Sequence, residues 1–318
     1  MGRSGTAGSV GKAGRAGGVR AGGVRAGGVD DAGRRGWLLP ALAAGWYAVI
    51  LLIAHTSITD SDSPERALLL AATVLPLVIS AGLAAAAAVG LGAVDLAGRR
   101  VSGLAGRAPL RLAVAGGGGL AVGTAGGGLM LAGYGTSATF ARLAGTVAVA
   151  GLLAGLIGAV RPARLVGAAL AGTLAWFLIG FVKGLWAGQL RQLFGASDTV
   201  LSQLRAGGQL SLTVALVGGV SAGLVAYRYL RRRDPAPRWP AYLATGAGPG
   251  LLLLVAVAVT QLGGAPLLNA AHAVNPVYDY EFDRQFADRI DTALVVLFVG
   301  AITAMVALGR TLGRPARE

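Results

Sequence analysis

Ionisable side chains inside apolar runs are the first place to look for chemistry in this chain. One such residue stands out, Lys183, in the apolar run 165–187. It lies about seven residues past the middle of that run, so about 10 Å from the midpoint along a helix. Its ammonium can snorkel to an interface, neutralise an acidic group from a nearby loop, or attract an anionic substrate. Two prolines fall inside apolar runs. Pro76 removes the N–H that would bond the Ala72 carbonyl, and Thr73 and Ser80 lie close enough to help satisfy that backbone. Pro249 stands in Gly246-Ala247-Gly248-Pro249-Gly250. Such a run can unwind a membrane helix and offer its backbone to a substrate. The competing reading is a kink, or a helix that starts near 249, where proline is welcome. Lys183, Pro249, Gly248 and Thr73 are therefore the candidate substrate-binding residues.

Carboxylates gather elsewhere. Asp60-x-Asp62 has a spacing used in metal-assisted glycosyl transfer, where paired carboxylates hold a divalent cation beside a phosphate. Asp279, Glu281 and Asp283, with His272 nearby, form a second acidic group. The alternative reading of both groups is a solvated acidic face that keeps its loop out of the membrane. The chain has no cysteine, which excludes disulfides, thiolate metal sites and cysteine nucleophiles. It has no P-loop, dinucleotide fingerprint, HExxH or Asn-x-Ser/Thr acceptor. Neither a metal nor a cofactor is expected.

Composition decides what positions these residues. Of 318 residues, 54% are hydrophobic and 13% charged, against roughly 25% charged in soluble domains. Mean hydropathy is +0.65. A soluble enzyme, a disordered chain and a collagen-like fibre are excluded. Eight apolar runs are long enough to cross a bilayer, which needs about 20 residues. They are 37–54, 68–94, 112–132, 143–160, 165–187, 210–230, 241–262 and 291–309. The expected fold is all-α: a polytopic membrane protein with about eight transmembrane helices in one bundle.

The net charge of +14 resolves along the chain. Placing the N-terminus in the cytoplasm puts 21 of the 28 Lys and Arg on the inner side, with only 5 of the 14 Asp and Glu. That is the positive-inside pattern, and it predicts both termini in the cytoplasm. Arg greatly outnumbers Lys, in the manner of a GC-rich bacterial genome, so the expected location is a bacterial plasma membrane. Residues 1–36 hold 13 of the 53 glycines and three tandem Arg-Ala-Gly-Gly-Val repeats. They bury too little to offset their chain entropy and read as a disordered basic tail. Such a tail meets anionic headgroups, or nucleic acid only non-specifically. Its Arg34-Arg35 doublet resembles an export signal, but no cleavage site follows, so it reads as the flank of the first span. Residues 311–318 form a short cytoplasmic tail.

Helix packing is expected to use small residues four apart, which let backbones approach. Gly119, Gly123 and Gly127 form one such stripe, and Gly180 and Gly184 another. Two connections carry further helical signals. Residues 188–209 contain an amphipathic segment with a start at Ser197-Asp198. In 263–290, Tyr278, Phe282, Phe286 and Ile290 recur every four and read as an interfacial helix leading into the last span. Trp37, Trp186, Tyr227, Tyr229, Trp239 and Tyr242 are expected at headgroup level.

Three functions fit. The first is a transporter or permease for an uncharged or lipid-like substrate, which accounts for an apolar interior without a carboxylate relay. The second is a non-catalytic scaffold or regulator of an envelope complex, with protein partners in the membrane. The third is a lipid-linked transferase acting through the acidic loops. The balance is against an enzyme. A carrier requires a cavity near mid-depth lined by Gly, Thr or Ser of spans two, five and seven. The orientation makes a direct prediction. A reporter fused after residue 235 should be active only in its cytoplasmic form, and an external signal there would reverse the topology.

Overall fold

The computed structural model describes residues 28–60, 63–101, 106–134, 138–197, 199–234, 238–274 and 278–312. All regular structure among the described residues is helical. The long helices are α1 (Gly28–Thr59), α2 (Pro64–Arg100), α3 (Ala108–Tyr134), α4 (Ala138–Ile157) and α5 (Ala163–Leu185). They are followed by the short α6 (Ala187–Leu193), then α7 (Val200–Arg233), α8 (Trp239–Val274) and α9 (Tyr278–Leu312). Every helix except α6 holds a stretch long and apolar enough to cross a membrane, which gives eight candidate spans. The repeats of the basic tail (1–27) and the last residues (313–318) lie outside the described residues. Residues 28–36, grouped with the tail by composition, continue α1 as helix, since each added residue gains a hydrogen bond once a helix exists.

Many large side chains point outward, and the interior is rich in small ones. Leu42, Leu52, Leu129, Leu178, Leu251, Phe298 and Ile302 are exposed, while Ala84 through Ala88 are fully buried. A soluble protein would aggregate with that exterior, whereas a bilayer solvates it. Helix α2 is the hub: it packs on α1, α3, α4, α5 and α8, and its alanine run lets all of them come near. Helix α8 is shared with a second group, packing on α5, α7 and α9 as well as α2.

A very close crossing joins α3 and α4. The stripe Gly119, Gly123 and Gly127 faces Gly151, Gly155, Val147 and Ala144 of α4. A Cβ on Gly155 would lie 2.5 Å from the Ala115 carbonyl oxygen, and one on Gly119 would overlap the Gly151 carbonyl. Only glycine permits that backbone approach. Gly158 extends the same contact to Gly90 and Leu91 of α2.

Local signals set the helix ends. Ser63 caps α2, its Oγ accepting from the Arg66 N–H at 3.3 Å, with Pro64 in the first turn. Gly195 stops α6 with a φ of 82°. The Ala196 N–H donates to the Arg191 carbonyl and the Gly195 N–H to that of Gln192, which is a Schellman closure. Helix α7 then starts from the Thr199 cap, next to the expected Ser197-Asp198. It runs without a break into the span, so the second half of 188–209 is not a separate interfacial helix. Likewise α9 is one helix of 35 residues, and the segment expected at the interface is its first part. At 1.5 Å per residue it is about 52 Å long, well beyond a hydrocarbon core of about 30 Å.

Aromatic placement follows the expectation in part. Trp186 and Trp239 are exposed at helix ends, and Trp37 is exposed where the apolar stretch of α1 begins. Tyr227 and Tyr242 are instead buried, their rings 5.3 Å apart between α7 and α8. The Tyr227 hydroxyl donates to Thr311 Oγ1 and accepts from Arg231, so these rings pin helix ends together.

This packing predicts a sharp contrast between glycines. Gly119→Leu should destabilise the protein by about 1–3 kcal/mol or more, because the neighbouring backbone cannot yield. Gly128→Leu, where nothing lies within 4 Å, should stay within about 0.5 kcal/mol. Thermal unfolding in detergent, followed by circular dichroism, separates the two; equal midpoints would refute the close crossing.

Candidate functional site

A cavity of about 760 Å³ opens between α1, α2, α5, α7, α8 and α9. Each helix presents residues at helical spacing. Helix α1 gives Trp46, Ile50 and Ile53, and α2 gives Thr73, Pro76, Leu77 and Ser80. Helix α5 contributes Trp176, Phe177, Gly180, Phe181, Lys183 and Gly184. From α9 come Gln285, Asp288, Arg289 and Thr292, which follow the i, i+3, i+4, i+7 pattern of one helix face.

The cavity has an aromatic end and a charged end. Trp46 stacks on Phe177, centroids 6.0 Å apart and planes 9° apart, and meets Phe181 edge to face at 5.6 Å. These rings join α1 to α5, with Trp46 and Phe177 near the middle of their spans and Phe181 one turn further along α5. The Trp46 indole nitrogen is buried and has no hydrogen-bond partner. Gly218 of α7 makes room for the neighbouring Trp176 ring, which a Cβ there would overlap. Lys183 lies seven residues beyond Trp176, about 10 Å further along α5. Asp288 and Arg191 are the charged groups near enough to act on its ammonium. Among the described residues that ammonium makes no salt bridge or hydrogen bond.

Arg289 reaches across from α9 to α2, and its Nη2 donates to the Thr73 carbonyl oxygen at 3.3 Å. This is the backbone that Pro76 perturbs. The expected helpers bond elsewhere: Thr73 Oγ1 donates to the Leu69 carbonyl and Ser80 Oγ to that of Leu77, each at 2.9 Å. Their hydroxyls are one turn behind their own Cα atoms, so they reach back rather than forward. Arg289, Gln285, Pro76 and Val257 also border a second cavity of about 120 Å³, so the Arg289 side chain is part of a partition between the two.

The candidate substrate residues divide. Lys183 and Thr73 both line the large cavity. Gly248 and Pro249 do not. Helix α8 is continuous through them, and Pro249 is fully buried. They pack on Ala169 and Gly172 of α5, while Gly246 and Gly250 meet Gly300 and Leu297 of α9. The Gly-Pro run is where α8 threads between two neighbours. The second glycine stripe also takes an unexpected place. Nothing lies within 4 Å of a Cβ built on Gly180 or Gly184, and both line the cavity. Here the missing side chain makes space instead of contact.

Of the acidic candidates, Asp60 ends α1, its N–H donating to the Thr56 carbonyl at 3.0 Å. Asp62 lies outside the described residues, as do the side chains of Asp279, Glu281, Asp283 and His272. Among the described residues no three of His, Asp or Glu come together as metal ligands. Asp95, at the other end of the bundle, is paired with Arg99 at 2.7 Å.

No known protein family, curated protein or solved structure matches the chain. The site must be read from its own residues. Those that composition did not single out are Trp46, Trp176, Phe177, Phe181, Gln285, Asp288 and Arg289. A signal for the α9 set existed. Its polar positions repeat at helical spacing beside the apolar stripe of Phe282, Phe286 and Ile290.

The lining predicts that the cavity can be filled without harm to the fold. Gly184→Leu should keep the unfolding midpoint of the parent protein. It should also reduce quenching of tryptophan fluorescence by brominated detergent chains, since the cavity that leads to Trp46 and Trp176 is narrowed toward its charged end. Unchanged quenching would mean that apolar chains do not reach these rings.

Proposed function

We propose that this protein is a permease-like carrier of a lipid-like amphiphile, which it takes into the cavity between α1, α2, α5 and α9. The observation that carries this reading is the two-ended lining: aromatic rings near mid-depth and charged groups toward one end. A lipid-like molecule has the same division. Ile53, Leu77 and Leu185 are apolar and exposed, so the rim contributed by α1, α2 and α5 suits contact with hydrocarbon. The charged end disfavours a wholly apolar substrate. The requirement set for a carrier is met in part: Thr73 and Ser80 come from span two and Gly180 and Gly184 from span five, while span seven lines the cavity with Leu253, Ala256 and Val257 instead of Gly, Thr or Ser.

The Arg-rich ends of α2, α7 and α9 belong on the cytoplasmic side of a bacterial plasma membrane in this reading. The cavity mouth then lies in the opposite half of the bilayer. Substrate would be gathered from the outer leaflet or delivered to it.

Reconstitution tests the proposal. Proteoliposomes with a short-chain fluorescent lipid should show transbilayer movement several-fold faster than protein-free vesicles, measured by the fraction of probe reduced by external dithionite. Gly180→Phe, which fills the cavity, should bring the rate back to that of empty vesicles. Equal rates with and without the parent protein would overturn the carrier reading.

A further inference from the structure

Lys183 and Arg289 enter the large cavity from different helices, α5 and α9, which pack on α7 and α8 rather than along one another. Among the described residues neither cation has a salt bridge, and the cavity holds one carboxylate, Asp288. Arg191 adds a third positive charge close enough to act on Lys183. Two cations directed into a largely apolar space are costly unless an anion joins them. Arg289 uses one donor on the Thr73 carbonyl, which fixes the guanidinium in place, and among the described residues its other donors have no hydrogen-bond partner.

We infer that the cavity binds the phosphate monoester of an anionic lipid between Lys183 and Arg289, with the apolar chain lying on Trp46, Phe177 and Phe181. This rests on the carrier reading and names the headgroup chemistry it would select. A planar guanidinium presents paired N–H donors that fit two phosphate oxygens, and the ammonium adds a compact charge beside them. Gln285 supplies a neutral donor on the same face of α9 as Arg289. A phosphate with two ionisable oxygens answers the charge excess. A choline phosphate, with its own cation, answers less of it. The aromatic floor argues for a lipid over free phosphate, because a small anion would leave the rings and most of the volume unused.

Binding to the detergent-solubilised full chain tests this, with lipids of identical short brominated acyl chains and tryptophan quenching as the readout. Phosphatidic acid should bind at least about tenfold more tightly than diacylglycerol. Phosphatidylcholine should fall between them. Lys183→Gln and Arg289→Gln should each weaken phosphatidic acid by about tenfold and leave diacylglycerol unchanged. Arg289 also links α9 to α2, so Arg289→Lys provides a second variant that keeps the charge and loses the fork. It should bind phosphatidic acid more weakly than the parent and more tightly than the Gln variant. Phosphatidic acid and diacylglycerol binding equally would overturn the headgroup assignment while leaving lipid binding intact. Failure of every lipid to bind would overturn the carrier reading as well. Inorganic phosphate that displaces phosphatidic acid at equal concentration would show that the site selects the free anion, which also overturns the inference.

Discussion

The structure depends on how closely two helix backbones can approach when lipid surrounds them. In water, burying large aliphatic side chains would draw these helices together. In a bilayer those side chains are equally well solvated by acyl chains, so they give no preference for the interior. What remains is dispersion between surfaces that fit, and it grows as the separation shrinks. The sequence meets this with alanine along the middle of α2 and glycine where α3 meets α4. Many leucines, valines and isoleucines stand on the exterior, while others, such as Leu75, Val78 and Leu267, fill the core between the small residues. The apolar composition is thus sorted by size only as a tendency, with the closest approaches kept for alanine and glycine.

The cavity follows from a local exception to that sorting. Where α1, α5 and α9 face each other, the inward residues are large aromatics at one level and charged or glycine residues at the next. Trp46, Phe177 and Phe181 hold α1 and α5 apart by the width of a ring. Gly180 and Gly184 withdraw from the gap beyond them. Arg289 spans the remaining distance to α2 with a single hydrogen bond to a backbone carbonyl. The same residue types that close the bundle elsewhere keep it open here, because their neighbours differ.

Much of this was legible in the sequence. Eight spans follow from apolar run length, and all eight helices are present. Their ends were less legible. A hydropathy window stops at the first charges, so the spans of α7 and α9 were expected to begin about ten residues after the helices do, preceded by separate interfacial segments. A helix has no reason to stop there, since its backbone bonds are indifferent to whether side chains meet lipid or water. That difference hid Asp288 and Arg289, which fell in the segment read as an interfacial helix, outside the expected span. Lys183 was legible because it interrupts an apolar run. Gly180 and Gly184 were legible as a stripe, but spacing alone cannot say whether a smooth face meets a partner or a void. Pro249 showed the converse. Its run had the composition of an unwound segment, and it is a continuous helix packed between α5 and α9.

The two uses of glycine separate the positions that hold the bundle together from those that set its capacity. A codon change from glycine to alanine at 119 or 155 would confront a fixed carbonyl. The same change at 180 or 184 would meet empty space and only trim the chamber. Selection on the chamber's size can therefore proceed through single-base steps that leave the fold untouched. The volume of the cavity is free to drift along α5 while the architecture is held along α3 and α4.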